Sequence, residues 1–254
     1  MKIIFTNLYI KTADRENSDR VQLLAGRLFG RLPGCTTIKL VGTLKTGETN
    51  GKTSNGYLNC LRFSGSILLR EIDLTGLNTA FIYDMQSLFD GCMSLNKINM
   101  SGLRTRAVGD MSKMFSGCLS LSDIDISGID TRNVIDMSNM FFDCVELEKL
   151  DVSALNTSNV QYMESMFEWC DKLTYLDLSN FNTENVKSIS RIFAECHSLR
   201  YLDISNFNLT NADKNGEMFV GCTELEKIKL PKDKITCDIV TSQLMENDIH
   251  CEFI

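Results

Sequence analysis

Proline is nearly missing, at 2 of 254 residues, so the chain is not a string of Pro-rich linkers. Histidine is just as scarce: His197 and His250 have no partner at a metal-ligand or catalytic spacing. No GxSxG motif occurs, so a nucleophile elbow has no support. No stretch approaches eighteen apolar residues, which excludes a transmembrane helix. A basic excess is lacking as well. Lys and Arg number 26 against 33 Asp and Glu, a net charge of −7, which argues against a nucleic-acid binder. The opening run MKIIFT is short and interrupted, so no signal peptide is expected and a soluble chain is.

What is present is a core-forming composition, 43% hydrophobic and 23% charged, which excludes disorder of the whole chain. The organising signal is a period. Cys92, Cys118, Cys144, Cys170, Cys196 and Cys222 are each 26 residues apart. Three residues before them stand Phe89, Phe115, Phe141, Phe167, Phe193 and Phe219, and three after them Leu95, Leu121, Leu147, Leu173, Leu199 and Leu225. An earlier repeat has Ser66 in the Cys position and keeps Phe63 and Leu69. A fixed period of this length means a solenoid, in which each unit buries its apolar faces only by stacking on the next.

Each unit carries two periodicities. After the Cys comes a short alternation such as Leu176-Asp177-Leu178, the strand period. Strands are expected at 72–74, 98–100, 124–126, 150–152, 176–178, 202–204 and 228–230, stacked in parallel. Before the Cys comes a helix-like spacing: Val108, Met111, Met114, Phe115 and Cys118 share one helical face. Asp130-Thr131, Asn156-Thr157 and Asn182-Thr183 suit a turn and a helix N-cap before it. The expected fold class is therefore α/β, a solenoid with a parallel sheet on one side and short helices on the other.

The units DMSKMFSGCLSLSDIDISGIDTRNV and YMESMFEWCDKLTYLDLSNFNTENV resemble the repeats of BspA-like leucine-rich-repeat proteins. The resemblance covers roughly residues 60 to 230. It implies a leucine-rich-repeat solenoid and an adhesin-like surface protein that holds other proteins. The missing export signal favours a cytoplasmic or particle-associated location over that cell surface.

Residues 1–60 read as an N-terminal cap, 61–230 as the repeat array and 231–254 as a C-terminal cap, together one domain. Within the first cap, Lys2 to Ile10 alternates like an edge strand, Asp19 to Leu32 reads as an amphipathic helix and Thr37 to Val41 as a strand. Residues 42–56 read as an exposed loop. The last cap reads as a short helix and then a strand.

Several motifs could carry chemistry. The cysteine ladder lacks the short pair spacings of metal sites, so buried free thiols are expected. The loop TGETNGKT departs from a phosphate-binding loop, because Thr46 stands at the first Gly position. Asn99-Met100-Ser101, Asn156-Thr157-Ser158 and Asn208-Leu209-Thr210 match the glycosylation acceptor pattern, but inside repeat motifs, where chance explains them. No catalytic, cofactor or metal residue is assigned, and no enzyme is expected.

The outward strand columns reach furthest toward function. One column runs Asp73, Asn99, Asp125, Asp151, Asp177, Asp203 and Lys229, and its neighbour Glu71, Lys97, Asp123, Lys149, Tyr175, Tyr201 and Lys227. The Asp column reads either as structural, bonded to Ser or Thr hydroxyls and to turn amides of the next repeat, or as an acidic strip for a basic partner or a cation. The adjacent aromatics Tyr175 and Tyr201, with Asp151, Asp177, Asp203 and Lys149 around them, form the candidate interface. The reading is a non-catalytic recognition module that mediates protein–protein interaction or adhesion through its sheet face. The alternative is a structural subunit of a larger assembly such as a virion or other multi-protein particle.

Overall fold

The computed structural model describes residues 2–6, 9–10, 36–43, 45–46, 62–80 and 82–254. The amphipathic stretch 19–32, most of the 42–56 loop, Cys35 and Cys60 lie outside them. The strands are β1 (Lys2–Thr6), β2 (Tyr9–Ile10), β3 (Thr37–Thr43), β4 (Lys45–Thr46), β5 (Glu71–Asn78), β6 (Lys97–Asn99), β7 (Tyr175–Asp177), β8 (Tyr201–Asp203), β9 (Lys227–Lys229) and β10 (Glu252–Phe253). One helix, α1 (Lys234–Glu246), lies among the described residues. All pairings are parallel and give two four-stranded sheets, β1-β3-β5-β6 and β10-β9-β8-β7, beside the β2-β4 pair. The chain is a parallel repeat solenoid with one coil per 26-residue unit.

The sheet differs from expectation at its middle. Residues 124–126 and 150–152 do not join a continuous ladder; on the sheet side a single bridge, Asp123 to Lys149, links those coils. The inward residues there are also the less deeply buried, Ile124 at 7% and Leu150 at 8% against 0% for Leu176 and Leu202.

The stretch before each cysteine is a run of turns, not a helix. Met114 N–H bonds to Met111 O and Cys118 N–H to Phe115 O, each three residues back. Lys113 and Gly117, third in those turns, have φ of 56° and 66°, the left-handed region required at that position of a type II turn. Four of the remaining N–H groups point along the stack. Those of Met111, Lys113, Phe115 and Gly117 bond to the carbonyls of Asp136, Ser138, Met140 and Phe142 in the next coil. These bonds take the donors that a helix would have used four residues back. The i→i+3 turns crowd the chain enough to reproduce a helical apolar spacing, and Met111, Met114, Phe115 and Cys118 are all fully buried. The Thr residues expected near helix starts are buried between coils instead. Thr157 Oγ1 accepts the Asn182 N–H at 2.8 Å and donates to the Asn182 carbonyl at 3.0 Å.

Stacking identical coils stacks identical side chains. Phe63, Phe89, Phe115, Phe141, Phe167, Phe193 and Phe219 form one column with centroids 5.4–6.2 Å apart, within the offset-stacked range. The six ladder cysteines are buried and free. Each thiol donates to a Phe carbonyl of the preceding coil, as Cys144 Sγ does to Phe115 O at 3.2 Å. The thiol column therefore has polar partners.

Helix α1 closes the stack by imitating the next coil. Asp233 caps it by accepting the Thr236 N–H at 2.8 Å. Thr236 Oγ1 then accepts the Leu209 N–H at 2.8 Å, and Gln243 takes the Met218 N–H on Oε1 and donates Nε2 to Asn215 O. Backbone groups of the last coil are thereby satisfied by side chains.

Candidate functional site

The sheet face is built by the strand pleat. Inward residues Leu176 and Leu202 anchor β7 and β8 in the core, and the alternation sends Tyr175, Asp177 and Tyr201 outward. Parallel register then sets Tyr175 against Tyr201 and Asp177 against Asp203. The two tyrosine rings stack with centroids 4.6 Å apart and planes 6° from parallel. Tyr175 is 53% exposed. Burial first, then the negative charge of Asp177, pushes its phenol above the ordinary value.

The Asp column is tied within its own coil, not to the next repeat as expected. Asp151 Oδ1 accepts the Ser153 N–H at 2.9 Å, and Asp177 Oδ1 the Ser179 N–H at 2.9 Å. These are Asx turns, which end each strand. Hydrogen bonds from the Ser153 hydroxyl and amide hold the Asp151 carboxyl below its usual range. Asp203 differs in being 2% exposed and paired with Lys229 Nζ at 3.0 Å. Burial would raise its pKa, but the Ser205 bonds and the Lys229 charge outweigh it and leave it lowered.

Lys149 sits across an interruption. No backbone hydrogen bond joins residues 148–152 to β7, although the turn side of the same two coils is fully bonded. Asp151 and Asp177 both line this seam. One strand further, Asp177 is in register with Asp203, which carries the Lys229 ammonium. A groove of about 730 Å³ opens along the seam, lined by Glu148–Ser153, Lys172, Thr174, Tyr175, Asp177, Ser179, Asn180 and Ser198. Asn180 straps its far end, donating Nδ2 to Leu155 O at 3.0 Å.

Of the residues expected at the interface, Tyr175, Asp151, Asp177 and Lys149 gather around this groove. Tyr201 and Asp203 form the adjacent strand, with Asp203 withdrawn into its ion pair. Lys172, Thr174 and Asn180 were not singled out from the sequence. Asn180 had a signal: it replaces the Gly76, Gly102, Gly128 or Ala154 of earlier repeats. On the turn side, Trp169 is 39% exposed at φ 63°, tilted against His197 at 5.8 Å. His197 contacts Asp171 through Nδ1 at 2.8 Å and Glu195 through Nε2 at 3.4 Å. Among the described residues, no group of three His, Cys, Asp or Glu side chains is placed to hold a metal ion. No described helix is long and apolar enough to cross a membrane.

A stack of near-identical parallel coils defines the class: a repeat solenoid. The chain belongs to the family described as Mycoplasma protein of unknown function, DUF285, whose model matches residues 62–150 and 119–232. No curated protein and no solved structure matches it.

Proposed function

We propose that the protein is a non-catalytic recognition module that binds a protein partner through its sheet face. The observation that carries this reading is the half-exposed Tyr175 stacked on Tyr201 beside a largely apolar groove that also carries charged side chains. An aromatic anchor with a polar rim on rigid backbone is what an interface hot spot requires. Rigidity matters because strands held by the stack lose little freedom on binding. The resemblance of the repeats to BspA-like leucine-rich-repeat proteins supports the adhesive form of this role.

The test is co-purification from the native source, with wild-type chain and a Tyr175→Ala/Tyr201→Ala variant as parallel baits and mass spectrometry as readout. A partner should be retained by wild type and lose about 2 kcal/mol or more of binding in the variant. Undiminished capture by a folded variant would move the interface elsewhere, first to the surface around Trp169.

A structural subunit of a larger assembly is a second reading, supported by the C-terminal end. There Met245, Phe253 and Ile254 are 76%, 54% and 48% exposed beside β10, which pairs only with β9 among the described strands. Fixed stoichiometry with the same neighbours in native particles would select that reading.

A further inference from the structure

We infer that the groove at the seam reads an arginine side chain of the partner, with the guanidinium laid on the open face of Tyr175 between Asp151 and Asp177. This rests on the sheet face being the partner surface and names the chemistry that surface selects.

Three observations lead to it. First, Tyr175 has one ring face covered and one open. Tyr201 covers the first at 4.6 Å, and the groove, to which Tyr175 contributes but β8 does not, lies on the other side. Second, the walls carry acceptors. Asp151 stands on one wall and Asp177 on the other, each bonded through Oδ1 to an amide of its own coil, and no ion pair to either occurs among the described residues. Asp203, one coil further, already has its cation in Lys229. Third, the local charge is unbalanced. Glu148, Asp151 and Asp177 line the groove against Lys149 and Lys172, and Lys172 is engaged by Glu146 at 2.7 Å.

An aromatic face in a groove whose lining includes two carboxylates asks for a group that is flat, cationic and donor-only. Guanidinium meets all three conditions. It stacks on aromatic rings, bonds carboxylates in a fork and is more weakly hydrated than an ammonium. A lysine would satisfy the charge without the plane. A volume of about 730 Å³ exceeds one guanidinium, which leaves room for the residues that flank the arginine in an extended segment.

The test is an NMR titration of the full chain at low ionic strength with N-acetyl-arginine-N-methylamide, against its lysine and citrulline counterparts. The arginine probe should give saturable shifts of the Tyr175 and Tyr201 ring signals and of the Ser153 and Ser179 amides. The lysine probe should bind at least about threefold more weakly, and uncharged citrulline should not bind. Tyr175→Ala and Asp151→Asn/Asp177→Asn should each weaken the arginine probe by about tenfold, while Tyr175→Phe, which keeps the ring face, stays within about twofold of wild type. Equal binding of all three probes, shifts elsewhere on the molecule, no saturable binding, or retention by folded Tyr175→Ala would overturn the assignment. Failure of the probe with the tyrosines still required for partner capture removes only the arginine assignment. A probe that binds while the partner ignores both tyrosines removes the docking reading and leaves the pocket.

Discussion

The turn side and the sheet side of each coil carry the same 26-residue period, but they spend their backbone hydrogen bonds differently. On the turn side four N–H groups per coil reach the next coil without a break, from Met85 to Asp110 O through to Glu195 to Val220 O. On the sheet side the ladder splits into two sheets with loosely joined coils between them. The turn side also holds the phenylalanine column, the thiols and the positive-φ turns, so a shift there disturbs packing and hydrogen bonding together. The sheet side needs only one inward residue per strand. Its outward residues can change, and even open a groove, while the other side maintains the stack.

The largest expected effect lies on the turn side. Phe141→Ala removes a ring stacked on both neighbours and should cost about 3–5 kcal/mol in denaturant unfolding. Tyr175→Ala, on the sheet side, should cost far less. An equal loss from both would remove the contrast between the two sides.

Next comes Thr157→Val, which keeps shape but leaves the Asn182 N–H and carbonyl without their partner hydroxyl. About 2 kcal/mol should be lost, and Thr157→Ser should restore most of it.

A smaller effect follows from the thiols. Burial pushes Cys92, Cys144 and Cys222 from 9.0 up to about 12 and raises Cys118, Cys170 and Cys196 as well. Between these values the folded chain keeps protons that the unfolded chain has lost. The thiols' contribution is therefore full below about pH 9 and declines as pH rises toward 12. Thermal midpoints should fall across that range, and less steeply in Cys118→Ala/Cys144→Ala/Cys170→Ala. Below pH 9 the ladder thiols should resist alkylation until the chain unfolds.

The smallest effect should be local. Asp151→Asn removes one of the two aspartates that line the seam, so the ladder there should tighten. Slower hydrogen exchange of the amides at 149–152 and 175–177 would show it. Unchanged exchange would mean that something other than charge holds the seam open.

Much of this was legible in the sequence. The Cys and Phe columns announced one core and one period, and the Tyr175–Tyr201 pair was visible as adjacent members of a variable column. The turn runs were not legible as turns, because Met111, Met114, Phe115 and Cys118 have the spacing of a helical face whichever local bonds produce it. The interruption at 124–126 and 150–152 was also hidden. Those repeats match the others in pattern, and what sets them apart is the lack of ladder bonds to the coils on either side, which no single column announces. Asn180 could have been noticed as the residue that breaks a Gly and Ala column, but its role as a strap depends on the carbonyls that lie opposite.

By itself, the sequence determined the period, the identity of the buried columns and the outward columns of the strands. All three follow from side-chain type at fixed spacing, since burial of apolar surface is non-directional and needs only the right residues in step. Only the tertiary structure decided which backbone donors bond within a coil and which bond between coils, and where the sheet parts to make a groove. Those outcomes depend on hydrogen-bond direction and on charges brought together by stacking, from residues 26 apart in the chain.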